Sequence, residues 1–523
     1  MKQRLENMTL EEKIGQLLMF GIEGTEVNEE TMQMVEKYKA GNVILFTHNI
    51  KGIKQLFKLT QDLHQLSLKH LGLPMFIGID QEGGMVTRIQ SEATFFPGAM
   101  TIAANHLPLM GYEVGKQMGF ELKQLGININ FAPVLDVNNN PKNPVIGVRS
   151  YSDNPEEVAK YGLPFIQGLQ EHVIATAKHF PGHGDTVVDS HVGLPTVNHS
   201  RERLEAVEFA PFKKAINAGI HGMMSSHIYF PALTEGGKPA TLSHEVMTTL
   251  LRDEFGFEGL IVTDGMEMKA IADRYGTVEA SLMAVQAGVN IYCVCHSPKL
   301  ALESMERIKE AVLNGEISED VINERVERVL HYKEKYAHTN VDFEFADVES
   351  LIGTEEAKDM SYQIVKGAAT LVKGKPLQLK NKALLIGTLP KATTIADDRL
   401  GNHDIFQELN HDFPELTVLK IPVIPSEEDV EMALDKAQAY DQIIITTYNA
   451  NVYRNQVQLL EKLHTLGKEV HVIAMRNPYD LVDVPVIQNY VCLYEYTPNS
   501  VRVLKEYLKG NLQLKGKVPI QNG

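Results

Sequence analysis

The sequence predicts an α/β protein: a (β/α)8, TIM-like barrel followed by a smaller three-layer α/β domain. Two observations carry this prediction. Over the first part of the 523-residue chain, eight short apolar runs alternate with longer stretches able to hold helices. That is the pattern of repeated βα units on a parallel sheet, and eight is the count that closes a barrel. After an acidic stretch, a second series of apolar runs and helical stretches begins. The barrel is therefore assigned to residues 1–336, a linker to 337–353 and the second α/β domain to 354–523. An open doubly wound sheet is the alternative if one or more of the eight runs is not a strand.

The runs are QLLMFG (16–21), NVILF (42–46), MFIGID (75–80), ININFAPVLDV (127–137), VIATAKHF (173–180), GIHGMMSSH (219–227), GLIVTDG (259–265) and VNIYCVC (289–295). A charged helix is expected over about 300–336. In it Val321, Ile322, Val326, Val329 and Leu330 form one apolar stripe, as a covering helix requires. Residues 337–353 are mixed and acidic. A new helix, EEAKDMSYQIVKGAATLV, opens the second unit. Strands are expected at KALLIG (382–387), QIIITTY (442–448), EVHVIAM (469–475) and YVCLYEY (490–496).

Composition narrows the function. A formal net charge of -17 argues against nucleic acid or an anionic membrane as partner, since both reward clustered Lys and Arg. No stretch approaches the ~20 apolar residues of a membrane span. The N-terminal segment MKQRLENMTLEEKIGQLLMFG reads as an amphipathic helix running into a strand and not as a signal peptide. The three cysteines, Cys293, Cys295 and Cys492, are too few and too odd in number for a disulfide framework. A cytoplasmic location is expected. Trp is absent, so a ligand site here must use hydrogen bonds, charge, and Phe or Tyr.

In such a barrel the active site lies at the C-terminal ends of the strands. Five of the eight runs end in an ionisable group: Asp80, Asp136, Lys178 with His179, His227 and Asp264. Together they predict a concave polar site. The most informative stretch is AKHFPGHGDTVVDSHVGLP, 177–195, which follows strand five. It holds His179, His183, Asp185, Asp189 and His191 on a path shaped by Pro181, Gly182 and Gly184. Three readings compete. The residues bond one another to hold the loop, as is expected of His183 and Asp185. They bind a metal, although HExxH spacing and cysteine pairs are missing. Or a histidine acts as acid and base, oriented by a carboxylate. Asp189 and His191 are two residues apart, so an extended loop turns both side chains the same way. A carboxylate on one imidazole nitrogen fixes the tautomer and raises basicity.

KHFPGHGDT (178–186), DSH (189–191), TDGMEM (263–268), IDQEGGMVTR (79–88) and GVRSY (147–151) together resemble glycoside hydrolase family 3, in particular its β-N-acetylglucosaminidase branch of peptidoglycan recycling. The resemblance spans the barrel; the second domain has the family's layout but no matching motif. It implies that Asp264 is the catalytic nucleophile, His191 the general acid/base and Asp189 its partner. Asp80, Arg88, Arg149, Lys178 and His179 then match positions that hold the terminal N-acetylglucosamine. No cofactor or metal is implied. The expected partner is a small saccharide or muropeptide, with the oligomeric state open.

A retaining glycosidase needs a carboxylate nucleophile and a separate acid/base, and most use two carboxylates. A histidine in the second role keeps negative charge away from the nucleophile, so a phosphorolytic variant stays open. The other enzymatic reading is a β-glucosidase or β-xylosidase of the same family, which typically lacks the DSH loop. A catalytically inactive sugar-binding protein would have lost the nucleophile or the dyad, and the sequence retains both.

Overall fold

A computed structural model describes residues 2–187, 193–390, 405–480, 484 and 486–521. All eight runs of the first part form strands: β1 (Leu18–Gly21), β2 (Asn42–Leu45), β3 (Phe76–Ile79), β4 (Ile129–Asn130), β5 (Ile174–Phe180), β6 (Gly222–Ser225), β7 (Leu260–Gly265) and β8 (Ile291–Val294). They pair in parallel in chain order, and β1 closes on β8 with Leu18 opposite Tyr292 and Phe20 opposite Val294. The barrel is closed, so the open-sheet alternative does not hold. Strands covered on both faces can be apolar at every position, which is why they read as runs and not as alternations.

β4 is much shorter than the run 127–137 suggests. Pro133 has no N–H for the ladder, and two asparagine side chains bond the backbone of the β3 segment. Asn128 accepts from Ile77 N–H at 2.9 Å and donates to the Met75 carbonyl at 2.9 Å. Asn130 does the same with both backbone groups of Gln81, again at 2.9 Å.

The expected helix over 300–336 is two helices, Pro298–Leu313 and Glu319–Tyr336. Gly315, at φ +75°, ends the first, and the Ser318 side chain caps the second by accepting from Val321 N–H. In the stripe, Ile322, Val326, Val329 and Leu330 are buried, while Val321 is half-buried.

The second domain is a six-stranded mixed sheet in the order β11-β10-β12-β13-β14-β9. Its strands are β9 (Thr370–Lys373), β10 (Ala383–Thr388), β11 (Leu416–Ile421), β12 (Gln442–Thr447), β13 (Glu469–Ala474) and β14 (Asn489–Cys492). Sequence reading misses two of these. The opening helix stops at Ala368, and the residues after Ala369 become β9, antiparallel to β14 at the sheet edge. β11 is the other edge, and its middle is only half-buried, so its apolar signal is weak. Among the described residues, no helix is long and apolar enough to cross a membrane.

Candidate active site

The C-terminal ends of the barrel strands surround a cavity of about 710 Å³, within the usual size of a small-molecule site. Asp80, Arg88, Arg149, Lys178, His179 and Asp264 all line it, so the structure brings these six sequence-predicted residues together. Asp189 and His191 lie outside the described residues.

The loop after β3 folds back because Gln81, anchored to Asn130, accepts from the N–H groups of Arg88 at 2.8 Å and Ile89 at 3.3 Å. This returns Arg88 to the cavity, with a guanidinium nitrogen 3.5 Å from Asp80. Asp80 also meets Lys178 Nζ at 2.7 Å. Glu82, two residues on, was not singled out by sequence reading, yet it joins the set together. Its carboxylate accepts from Arg149 Nε at 2.9 Å and Nη2 at 2.8 Å, and lies 2.7 Å from Lys178 Nζ. Burial would raise the Glu82 pKa, but the Arg149 and Lys178 cations beside it hold the carboxyl well below the usual range. A bidentate fork on a buried carboxylate fixes the guanidinium plane. The signal was legible in principle: Asp80 and Glu82 are two residues apart in an extended segment, so they face one way.

β5 supplies the next wall. Lys178 is 2% exposed, held between Asp80 and Glu82. His179 Nδ1 bonds Asp136 at 2.7 Å. Asp136 also accepts the N–H groups of His179 at 3.1 Å and His183 at 2.7 Å. Burial opposes the Asp136 charge, but His179 and the bonds from His183 outweigh it and lower the pKa. Asp136 therefore stands behind the cavity and not in it; it orients His179 and pins the start of the loop. Gly184 packs on the Val137 carbonyl, where a Cβ would come within 1.7 Å, so only glycine fits there. His183 does line the cavity, and its Nδ1 is 2.8 Å from Thr186 Oγ1. Burial, reinforced by His179, lowers its pKa to about 4, so it is neutral at pH 7. Asp185 bonds His199 at 2.5 Å.

Asp264 ends β7 on the cavity wall, and one of its oxygens accepts from Gly265 N–H at 2.7 Å. His227, expected among the polar strand ends of the site, does not line the cavity. Its Nε2 bonds the Gly265 carbonyl at 3.0 Å and its Nδ1 meets Thr241 at 2.9 Å. It braces the strand end beside Asp264. Glu267, also missed, accepts from the N–H groups of Cys295 at 2.6 Å and His296 at 2.9 Å, which ties the loop after β7 to the end of β8.

The aromatic face lies at β2 and β8. Phe46 lines the cavity with its ring centre 5.8 Å from His48 and 5.3 Å from His296. Its ring presents an aromatic surface to the cavity, with the Arg88 guanidinium 6.0 Å from the ring centre. These residues carry no sequence motif and could not be found without the barrel. Among the described residues, no cluster of three or more His, Cys, Asp or Glu could hold a metal ion.

The chain is similar in sequence and fold to known proteins. The curated Beta-hexosaminidase A of Pseudoalteromonas piscicida is 36% identical over 373 residues, which are 67% of this chain and 62% of that protein. A Beta-hexosaminidase of Thiobacillus denitrificans is 31% identical over 298 residues, 56% of this chain and 81% of the relative. A solved glycoside hydrolase family 3 β-N-acetylglucosaminidase from Paenibacillus sp. superposes with a TM-score of 0.91 at 36% identity, covering 98% of this chain and 99% of that one. Residues 9–332 match the family model described as the glycosyl hydrolase family 3 N-terminal domain. With the closed barrel and the position of Asp264 at its mouth, this match establishes that the chain belongs to glycoside hydrolase family 3.

Proposed function

We propose that the protein is a retaining β-N-acetylhexosaminidase that removes terminal N-acetylglucosamine from peptidoglycan-derived fragments. The observation that carries the reading is Asp264 at the end of β7, on the wall of a cavity that Asp80, Arg88, Arg149 and Lys178 also line. The names of the similar proteins, hexosaminidases and a β-N-acetylglucosaminidase, support the same choice.

In this reading the charged set grips the sugar hydroxyls through charge-assisted hydrogen bonds, with His179 held toward them by Asp136. An Asp264 oxygen attacks the anomeric carbon as the bond to the leaving oxygen breaks. His191, oriented by Asp189, gives that oxygen a proton. The glycosyl-aspartate ester is then hydrolysed by water, whose proton returns to His191. The roles of His191 and Asp189 come from the sequence motif. The free cysteines suit a reducing compartment, and we place the enzyme in the cytoplasm.

The test is a panel of 4-nitrophenyl β-glycosides of N-acetylglucosamine, glucose and xylose, run with and without phosphate and EDTA. The N-acetylglucosaminide should be cleaved far faster than the others, with no loss on chelation. Preference for glucose or xylose refutes the substrate assignment. A sugar phosphate as main product in phosphate buffer replaces hydrolysis by phosphorolysis.

A further inference from the structure

The second domain meets the barrel directly behind the loops that hold the charged set. Met85, between Glu82 and Arg88, and Val148, next to Arg149, are buried in the second domain's hydrophobic core and not in the barrel's. A polar chain runs the same way. Tyr479, in the segment after β13, is fully buried, and its hydroxyl accepts from Asn138 Nδ2 at 2.8 Å. Asn138 Oδ1 in turn accepts the N–H of Gly147 at 3.1 Å. Gly147 opens the one-turn 3-10 helix Gly147–Arg149. Its φ is +48°, and a Cβ there would fall 2.8 Å from the buried Asn477 Oδ1. The turn that carries Arg149 is thus seated against a wall of the second domain, with Val148 in that domain's core and the Asn138 side chain relaying from Tyr479 to Gly147.

We infer that Tyr479 is a positioning residue for Arg149, so that the second domain sets the geometry of substrate binding in the barrel. The inference rests on the reading of Arg149 as a substrate-holding residue. A fork on Glu82 is a directional contact, and small displacements of such a group are costly to a site. Without the Tyr479 hydroxyl, the Asn138 amide loses a buried acceptor and the group that holds Gly147 N–H is no longer fixed.

The test uses the full chain and the nitrophenyl glycoside it prefers. Tyr479→Phe should raise KM about tenfold and change kcat by less than about twofold, as loss of uniform binding does. Arg149→Ala should raise KM at least as much. The double variant should match Arg149→Ala alone, because a relay acting through Arg149 has nothing left to position. A merely structural role predicts otherwise: less active protein, an unchanged KM, and losses that multiply in the double variant. Either an unchanged KM in Tyr479→Phe or multiplying losses overturns the relay. An unchanged KM in Arg149→Ala overturns the assignment of Arg149 itself, which is a separate failure. If Tyr479→Phe does not fold, Asn477→Ala removes the wall behind Gly147 and carries the same expectation of a raised KM coupled to Arg149.

Discussion

Glu82→Gln is the sharpest perturbation of the site. The native carboxylate makes two bonds to Arg149 and one contact to Lys178, all between 2.7 and 2.9 Å. At an effective dielectric near 20, each cation attracts it by about 6 kcal/mol. Desolvation of three buried ions offsets most of that. What survives is the cost of removing one partner from a buried network, about 3–5 kcal/mol. Glutamine keeps the shape, but its amide N–H groups face donors, so Arg149 loses its counter-charge and Lys178 keeps only Asp80. At roughly 2 °C per kcal/mol for a domain of this size, the melting temperature should fall by roughly 6–10 °C. Thermal unfolding followed by circular dichroism measures this. The pH dependence gives a second reading. The folded Glu82 pKa is depressed, so its stabilisation is present above the unfolded carboxyl value and is lost as pH falls toward the folded value. The difference between wild type and Glu82→Gln should therefore shrink on acidification from pH 7 to below 4. KM should rise as well, since Arg149 loses its fork. A melting temperature and KM both unchanged at pH 7 would show that the carboxylate does not organise the cations.

Asp264→Asn should lower kcat by on the order of 10⁴-fold or more, and a 5-fluoro glycoside should label Asp264 in peptide mapping of the native enzyme; a label on another carboxylate refutes the nucleophile assignment. His191→Ala should lower kcat by about 10²–10⁴-fold for poor leaving groups and less in the first step for good ones; if His183→Ala shows this dependence and His191→Ala does not, the acid/base is misassigned. His64 and His183 are both buried, and burial lowers each pKa to about 4. The unfolded chain then binds protons that the folded one refuses, so stability falls as pH drops from about 6.5 toward 4. The loss is on the order of 2 kcal/mol per histidine at pH 5. His64→Gln should flatten that slope in thermal melts between pH 7 and 5, and an unaltered slope would remove His64 as a source.

Much of this molecule is legible in the chain because its signals are local. Parallel strands buried on both faces announce themselves as apolar runs, and a strand must end at something polar, so Asp80, Lys178, His179 and Asp264 could be named from where the runs stop. Signals fail where a side chain acts through space. Beside the short β4, the amides of Asn128 and Asn130 imitate a neighbouring backbone. β9 looks like the end of a helix, and β11 is an edge strand with a wet middle. Asp136 and His227 obey the rule that strand ends are polar, yet they face backward, because tilt and twist decide which end points into the mouth. Glu82, Glu267 and the Phe46 ring enter the site only when loops after different strands converge. The sequence by itself determined the order of the eight barrel strands and the chemistry of the groups at their ends, since periodicity and residue type are properties of the chain. Only the tertiary structure decided which of those groups share one cavity, which stand behind it, and that the second domain holds the Arg149 turn. Those depend on distances of a few ångströms between residues far apart in sequence, and hydrogen bonds and ion pairs form only at such distances.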